Sequence, residues 1–169
     1  MKKIIDAFDY AGDICKAMKK GILLTTKTDD QVNTMTIGWG TMGIEWGKPI
    51  FVADVRESRY THELLEKNGE FTVNIPIDGV DGKILSVCGT KSGRDLDKIG
   101  SLGLTLEEPL KLSVPGIKEL PLTLECKLLY RMEQTLDTIP QDILDRYYPN
   151  GDFHYAYYAE IVGAYIITE

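Results

Sequence analysis

Cysteine, histidine and long apolar runs are all scarce in this chain, and each scarcity excludes something. Three cysteines, Cys15, Cys88 and Cys126, stand far apart with no Cys-x-x-Cys pair. That count and spacing argue against a disulfide framework or a structural zinc site, and a reducing cytoplasm is the default expectation. The two histidines, His62 and His154, form no metal-ligand cluster with the cysteines. Asp6 and Asp9 interrupt the apolar start Ile4-Ile5, so no signal peptide is expected. Nowhere do ~20 apolar residues run together, so no membrane-spanning helix is expected. Basic residues are also in the minority: 19 against 26 acidic ones leave a net charge of −7. An acidic chain is a poor partner for nucleic acid.

What is present is an ordinary globular balance, with 43% hydrophobic and 27% charged residues over 169 positions. That length suits a single domain over 1–169, with an N-terminal helical part (1–20) and a strand-rich remainder (21–169). Phe8, Ala11, Ile14, Cys15 and Met18 recur every three or four residues, which predicts an amphipathic helix over 6–20 ending at Gly21. The period then becomes that of strands. Ile22–Thr28 and Val32–Gly40 read as a hairpin, followed by strands at Pro49–Arg56 and Glu70–Ile75. Helices are predicted at Ser58–Asn68 with Ser58 as N-cap, near Val80–Val87, from Ser92 onward, and from Pro140 to about Tyr147. Leu104–Glu107 is a brief strand. Strict alternation over Leu122–Met132 and Tyr155–Ile167 predicts two long half-buried strands. Strands dominate without a βαβ rhythm, so the expected fold is mainly β: an antiparallel barrel with peripheral helices.

Gly38-Trp39-Gly40-Thr41-Met42-Gly43 matches G-x-G-x-x-G literally. A dinucleotide site needs a helix to open there, and Gly47 and Pro49 oppose one. The segment reads instead as a glycine-rich connection between strands, or as a place where a flat ligand nears the backbone. Two other segments have the chemistry of an anion pocket. Arg56-Glu57-Ser58-Arg59-Tyr60-Thr61 joins a strand end to a helix start, and gathers hydroxyls, guanidinium groups and free amides. Cys88-Gly89-Thr90-Lys91-Ser92-Gly93-Arg94-Asp95 combines small residues, basic residues and an expected helix start. The competing reading of both is a capped helix with solvated charges. Trp39 is either a stacking platform or a core residue.

Taken in order, these segments resemble the flavin reductase-like, FMN-binding split-barrel family, in particular its flavoredoxin-like branch. The resemblance lies in Asn33-Thr34-Met35-Thr36-Ile37-Gly38-Trp39-Gly40, in Val55-Arg56-Glu57-Ser58-Arg59-Tyr60-Thr61 and in Phe71-Thr72-Val73-Asn74. It continues in Cys88 to Asp95, in Gly151-Asp152-Phe153-His154 and in Glu160-Ile161, and so covers most of the chain from about Gly21.

The resemblance implies an antiparallel split barrel that forms a homodimer, with FMN at the subunit interface. It implies that Asn33, Thr34, Met35, Thr36 and Trp39 border the flavin ring. It places the phosphate on Arg56, Ser58, Arg59 and Thr61, brings Lys91 and Ser92 from a second loop, and sets His154 at the pocket border. Glu57 departs from the pattern by placing a carboxylate beside the phosphate loop. The implied activity is flavin reduction by NADH or NADPH, with electrons passed on to an acceptor. Two alternatives stand beside it: an FMN electron carrier working between redox protein partners, and a non-redox barrel that binds another phosphate-bearing ligand.

Overall fold

The structure, a computed structural model, describes residues 1–29 and 31–168. Ten strands are described: β1 (Lys2–Ile4), β2 (Ile22–Thr28), β3 (Gln31–Ile37), β4 (Gly40–Glu45), β5 (Lys48–Arg56), β6 (Glu70–Ile75), β7 (Leu106–Glu107), β8 (Gly116–Ile117), β9 (Leu122–Glu133) and β10 (His154–Ile167). Five α-helices accompany them: α1 (Ala11–Met18), α2 (Tyr60–Lys67), α3 (Gly82–Thr90), α4 (Lys98–Leu102) and α5 (Gln141–Tyr147). The main sheet runs β3-β2-β6-β9-β10-β5-β4, with β1 paired to β10 off that path, and its ladders are antiparallel. Among the described residues, no helix is long and apolar enough to cross a membrane.

The length of β10 explains how the sheet splits. One edge of this strand pairs with β9 over Tyr155–Ile166. Its other edge pairs with β5 over His154–Glu160 and with β1 only over Tyr165–Ile167. The two partners leave the strand in different places, so the sheet opens between them. Strand β2 serves two cores by simple alternation. Ile22 and Leu24 join the main core with Ile14, Met18, Met35, Phe51, Phe71, Val73, Leu124 and Tyr157. Leu23 points the other way, into a smaller core with Ile84, Cys88, Leu104, Ile117 and Leu120 beneath α3 and α4.

Several local expectations need correction. The N-terminal segment is not one helix: β1 comes first, then a 3₁₀ turn at Ala7–Tyr10 capped by Asp6, then α1. Strand β3 stops at Ile37, and the glycine-rich segment is itself strand β4, antiparallel to β5. Gly40 is needed there, because a Cβ would lie 2.7 Å from the Val52 carbonyl oxygen. No helix starts at Ser92. Helix α3 runs to Thr90, a turn follows, and α4 begins at Lys98 with Asp97 as its cap.

Candidate flavin-binding site

The edge strand β3, the end of β5, the start of α2 and the end of α3 converge around two neighbouring cavities of about 200 Å³ each. Met35 and Arg59 line both. The first cavity has a polar, cationic wall: Ser58, Arg59, Thr61, Lys91, Arg94 and Lys98, with Asn33 and Gly93 closing it. The second is flatter and more aromatic, bordered by Thr36, Gly38, Trp39, Asp54, Arg56 and His154.

Of the twelve residues expected at a site, eleven line one or both cavities: Asn33, Met35, Thr36, Trp39, Arg56, Ser58, Arg59, Thr61, Lys91, Ser92 and His154. Thr34 does not. Alternation along β3 turns its side chain inward, where its hydroxyl meets that of Thr25 at 3.0 Å and donates to the Leu24 carbonyl. Thr36 lines the second cavity, but its hydroxyl is already donated to the Leu85 carbonyl at 2.7 Å. Ser58 is not the helix cap. Arg59 occupies that position without a side-chain capping bond. The Ser58 amide and hydroxyl donate instead to the two carboxylate oxygens of Asp152, at 3.0 and 2.8 Å. Glu57 is exposed to solvent.

The second loop gathers cations for a reason other than a helix start, because it is the C-terminal end of α3. Arg59 donates to the carbonyls of Gly89 (2.9 Å) and Cys88 (3.4 Å), and the Lys98 ammonium donates to Cys88 (3.1 Å) and Thr34 (3.0 Å). Cations at the negative pole of a helix satisfy its last carbonyls. Lys98 is only 4% exposed and has no carboxylate partner among the described residues. Its ammonium is held down at about 8, chiefly by burial and also by the nearby Arg59, with Cys88 opposing the shift. Burial also lowers Arg59, with Arg56 adding to the effect and Asp152 opposing it. Arg94 is steadied by Glu63 at 3.3 Å and lies over the Tyr60 ring.

Trp39 is 40% exposed, so it is not a core residue. It packs 4.7 Å from the His154 ring and edge-on to Tyr147 at 5.1 Å, with the Arg56 guanidinium 6.0 Å from its centroid. Arg56 is pinned by the carbonyls of Asp152 (2.8 Å) and Tyr147 (3.0 Å). Burial, reinforced by Arg56 and opposed by Asp152, lowers His154 to about 4, so its ring is neutral near pH 7. Its Nδ1 lies 2.8 Å from the Tyr148 hydroxyl.

Comparison with known proteins gives the family. A family model described as "Flavin reductase like domain" matches residues 17–168. The chain belongs to that family. It is 34% identical over 104 residues to an uncharacterised protein of Archaeoglobus fulgidus, covering 62% of this chain and 58% of that relative's length. It is similar to the crystal structure of flavoredoxin from Methanosarcina acetivorans, with 28% identity, 87% of this chain and 68% of that one covered, and a TM-score of 0.68. An FMN-binding domain of a flavin reductase-like enzyme from Shewanella baltica shares the fold, at 18% identity and a TM-score of 0.66, with 98% of this chain and 77% of that one covered.

Sequence reasoning passed over Lys98, Arg94, Tyr60 and Asp54 as site residues. Arg94 lay in a segment already singled out. Asp97 followed three residues later by Gly100 is a cap spacing that sets Lys98 at the first position of α4.

Proposed function

We propose that this chain binds FMN across the two cavities and acts as an oxidoreductase of the flavin reductase type. The observation that carries this reading is the joining, at Met35 and Arg59, of a cationic hydroxyl-lined cavity with a flat aromatic one. One suits a phosphate and the other a ring system. The donor set fits a phosphate: Arg59, Lys91, Arg94 and Lys98 supply positive charge, and Thr61 and the first turn of α2 add polar hydrogens. Buried Lys98, with carbonyl acceptors alone, is a cation in want of an anion. Trp39, Met35 and Gly38 would flank the ring, and neutral His154 would border it without adding charge. Bound FMN would supply reversible redox chemistry, for which this chain's side chains provide placement and electrostatics. NADH or NADPH is the proposed electron donor.

A second reading is an FMN electron carrier between protein partners, favoured by the likeness to a flavoredoxin at 28% identity. We place two copies of the chain face to face, with the cofactor between them in the cytoplasm. An aromatic patch supports that arrangement: Trp46, in the turn after β4, is 64% exposed beside half-buried Tyr130 of β9, which stacks on Tyr158 of β10 at 4.3 Å. The test is to load the protein with FMN or riboflavin, remove free flavin, and mix anaerobically with NADH or NADPH in a stopped-flow instrument. Retained flavin that bleaches within the turnover time supports the reductase. Retained flavin that neither nicotinamide bleaches supports the carrier. No retained flavin defeats both.

A further inference from the structure

A third cavity of about 390 Å³ lies behind Trp39, lined by Cys15, Met18 and Lys19 from the end of α1, by Gly38 and Gly40, and by Asp54. It meets the ring cavity along Gly38, Trp39 and Asp54. Asp54 is the one ionisable side chain lining both. Its place follows from β5, where Asp54 sits opposite Ala156 and its amide points to the Trp39 carbonyl at 3.5 Å. The side chain is half-buried, and among the described residues no hydrogen bond or ion pair reaches its carboxylate.

The charged and titratable groups around Asp54 divide sharply. Arg56 on its own strand and Arg59 in the following turn supply guanidinium groups. His154 from β10 is flanked by Arg56, bound to Tyr148, and neutral. Lys19 and Cys15, from α1, face only the outer cavity. Of the four titratable groups in the ring cavity, Asp54 is the one carboxyl. Its carboxyl already stands above the ordinary 3.8, because burial disfavours the charge. A flat ring laid against it would remove more water and push it further up.

We propose that Asp54 is the proton-exchanging group of the ring cavity, taking up one proton through the outer cavity when a flavin ring settles beside it. The inference rests on the flavin reading above. The step is a protonation alone: the carboxylate gains a proton from solvent and becomes a neutral carboxylic acid, and the residue moves no electron. The neutral acid can then donate a hydrogen bond to the ring edge, and it can return the proton when the ligand's charge changes.

The experiment is calorimetric titration with FMN in two buffers of different ionisation enthalpy, at several pH values between about 5 and 7. Wild type is compared with Asp54→Asn and Asp54→Ser. The phosphate's own titration is common to all three proteins, so the difference isolates Asp54. Wild type should take up as much as one proton more per FMN than either variant. As pH rises, its FMN affinity should fall by as much as tenfold per pH unit relative to theirs while the free carboxyl is ionised and the bound one is still protonated, and should level off once the bound carboxyl ionises. An infrared difference spectrum of the wild type gives the same readout without a variant, as a protonated-carboxyl band gained on adding FMN. FMN bound by all three proteins with equal proton counts, or no such band, overturns the role of Asp54. No FMN bound by any of them overturns the flavin reading and this inference with it.

Discussion

Replacing Lys98 with methionine separates a binding cation from a structural one. Lowering the ammonium from 10.5 to about 8 means that folding with Lys98 charged costs about 3 kcal/mol. The unfolded chain holds that proton more tightly. The cost is therefore fully present below about pH 8 and fades as pH rises toward 10.5, so the apoprotein gains stability over that window. Lys98→Met removes the cost but also removes the hydrogen bonds to the Thr34 and Cys88 carbonyls. Those bonds are worth ~1 kcal/mol each, and a carbonyl left bare costs ~1–3 kcal/mol. The opposing terms nearly cancel, so apo stability at pH 7 should move by no more than ~1–2 kcal/mol.

FMN binding should respond differently. A hydrogen bond to a charged group contributes ~1.5–3 kcal/mol, so the variant should bind FMN roughly 10- to 150-fold more weakly. Riboflavin, which lacks the phosphate, should bind nearly as before. Wild-type FMN affinity should fall as pH rises above about 8, where apo Lys98 must regain a proton to bind, and the variant should be flat over that range. Fluorescence titration of both flavins from pH 7 to 10 measures all of this. Equal losses for FMN and riboflavin, or the same pH dependence in variant and wild type, would refute the phosphate role of Lys98.

Other substitutions test neighbouring parts of the site. Trp39→Ala should shift the bound flavin's absorption, while chemical denaturation shows a loss well below the ~3–5 kcal/mol of a buried aromatic, since this side chain is 40% exposed. Gly93→Ala drives a methyl into the Asn33 Oδ1 and to 3.0 Å from the Tyr60 ring, so it should weaken FMN binding and cost ~1–3 kcal/mol of stability in a urea melt. Asp152→Ala removes both acceptors that hold Ser58, and should destabilise by ~0.5–2 kcal/mol, the range of a lost helix cap, with Asn restoring part of it. Sedimentation of the FMN-loaded protein should give a two-subunit mass; a monomer retaining one FMN would exclude the shared cleft.

The long strands were legible because alternation is a strong local signal. Leu122–Met132 and Tyr155–Ile167 were readable from period alone, and β9 and β10 occupy Leu122–Glu133 and His154–Ile167. Elements fixed by distant partners were not legible. Strand β1 is three residues long and exists because β10 is long enough to pair with it beyond β5. Strand β4 is hidden by glycines, one of which is required by the close Val52 carbonyl. Thr34 carried a residue type that suits a site, yet its face of β3 is set by pairing opposite Thr25.

The cationic cavity shows the same limit in its electrostatics. Basic residues and small residues near an expected helix start suggested an anion site at 88–95. Residues 90–94 of that segment do line one cavity, but the helix there ends rather than begins. Its final carbonyls repel an anion. Arg59 and Lys98 reverse that sign by donating to those carbonyls, which also holds α3, α4, β3 and the entry to α2 in register. One set of bonds thus fixes the loop and sets both cations in the cavity wall. A chain with net charge −7 can offer a strongly cationic pocket in this way. Position along the sequence does not reveal it, because the pairing joins residues separated by 30 and 64 positions.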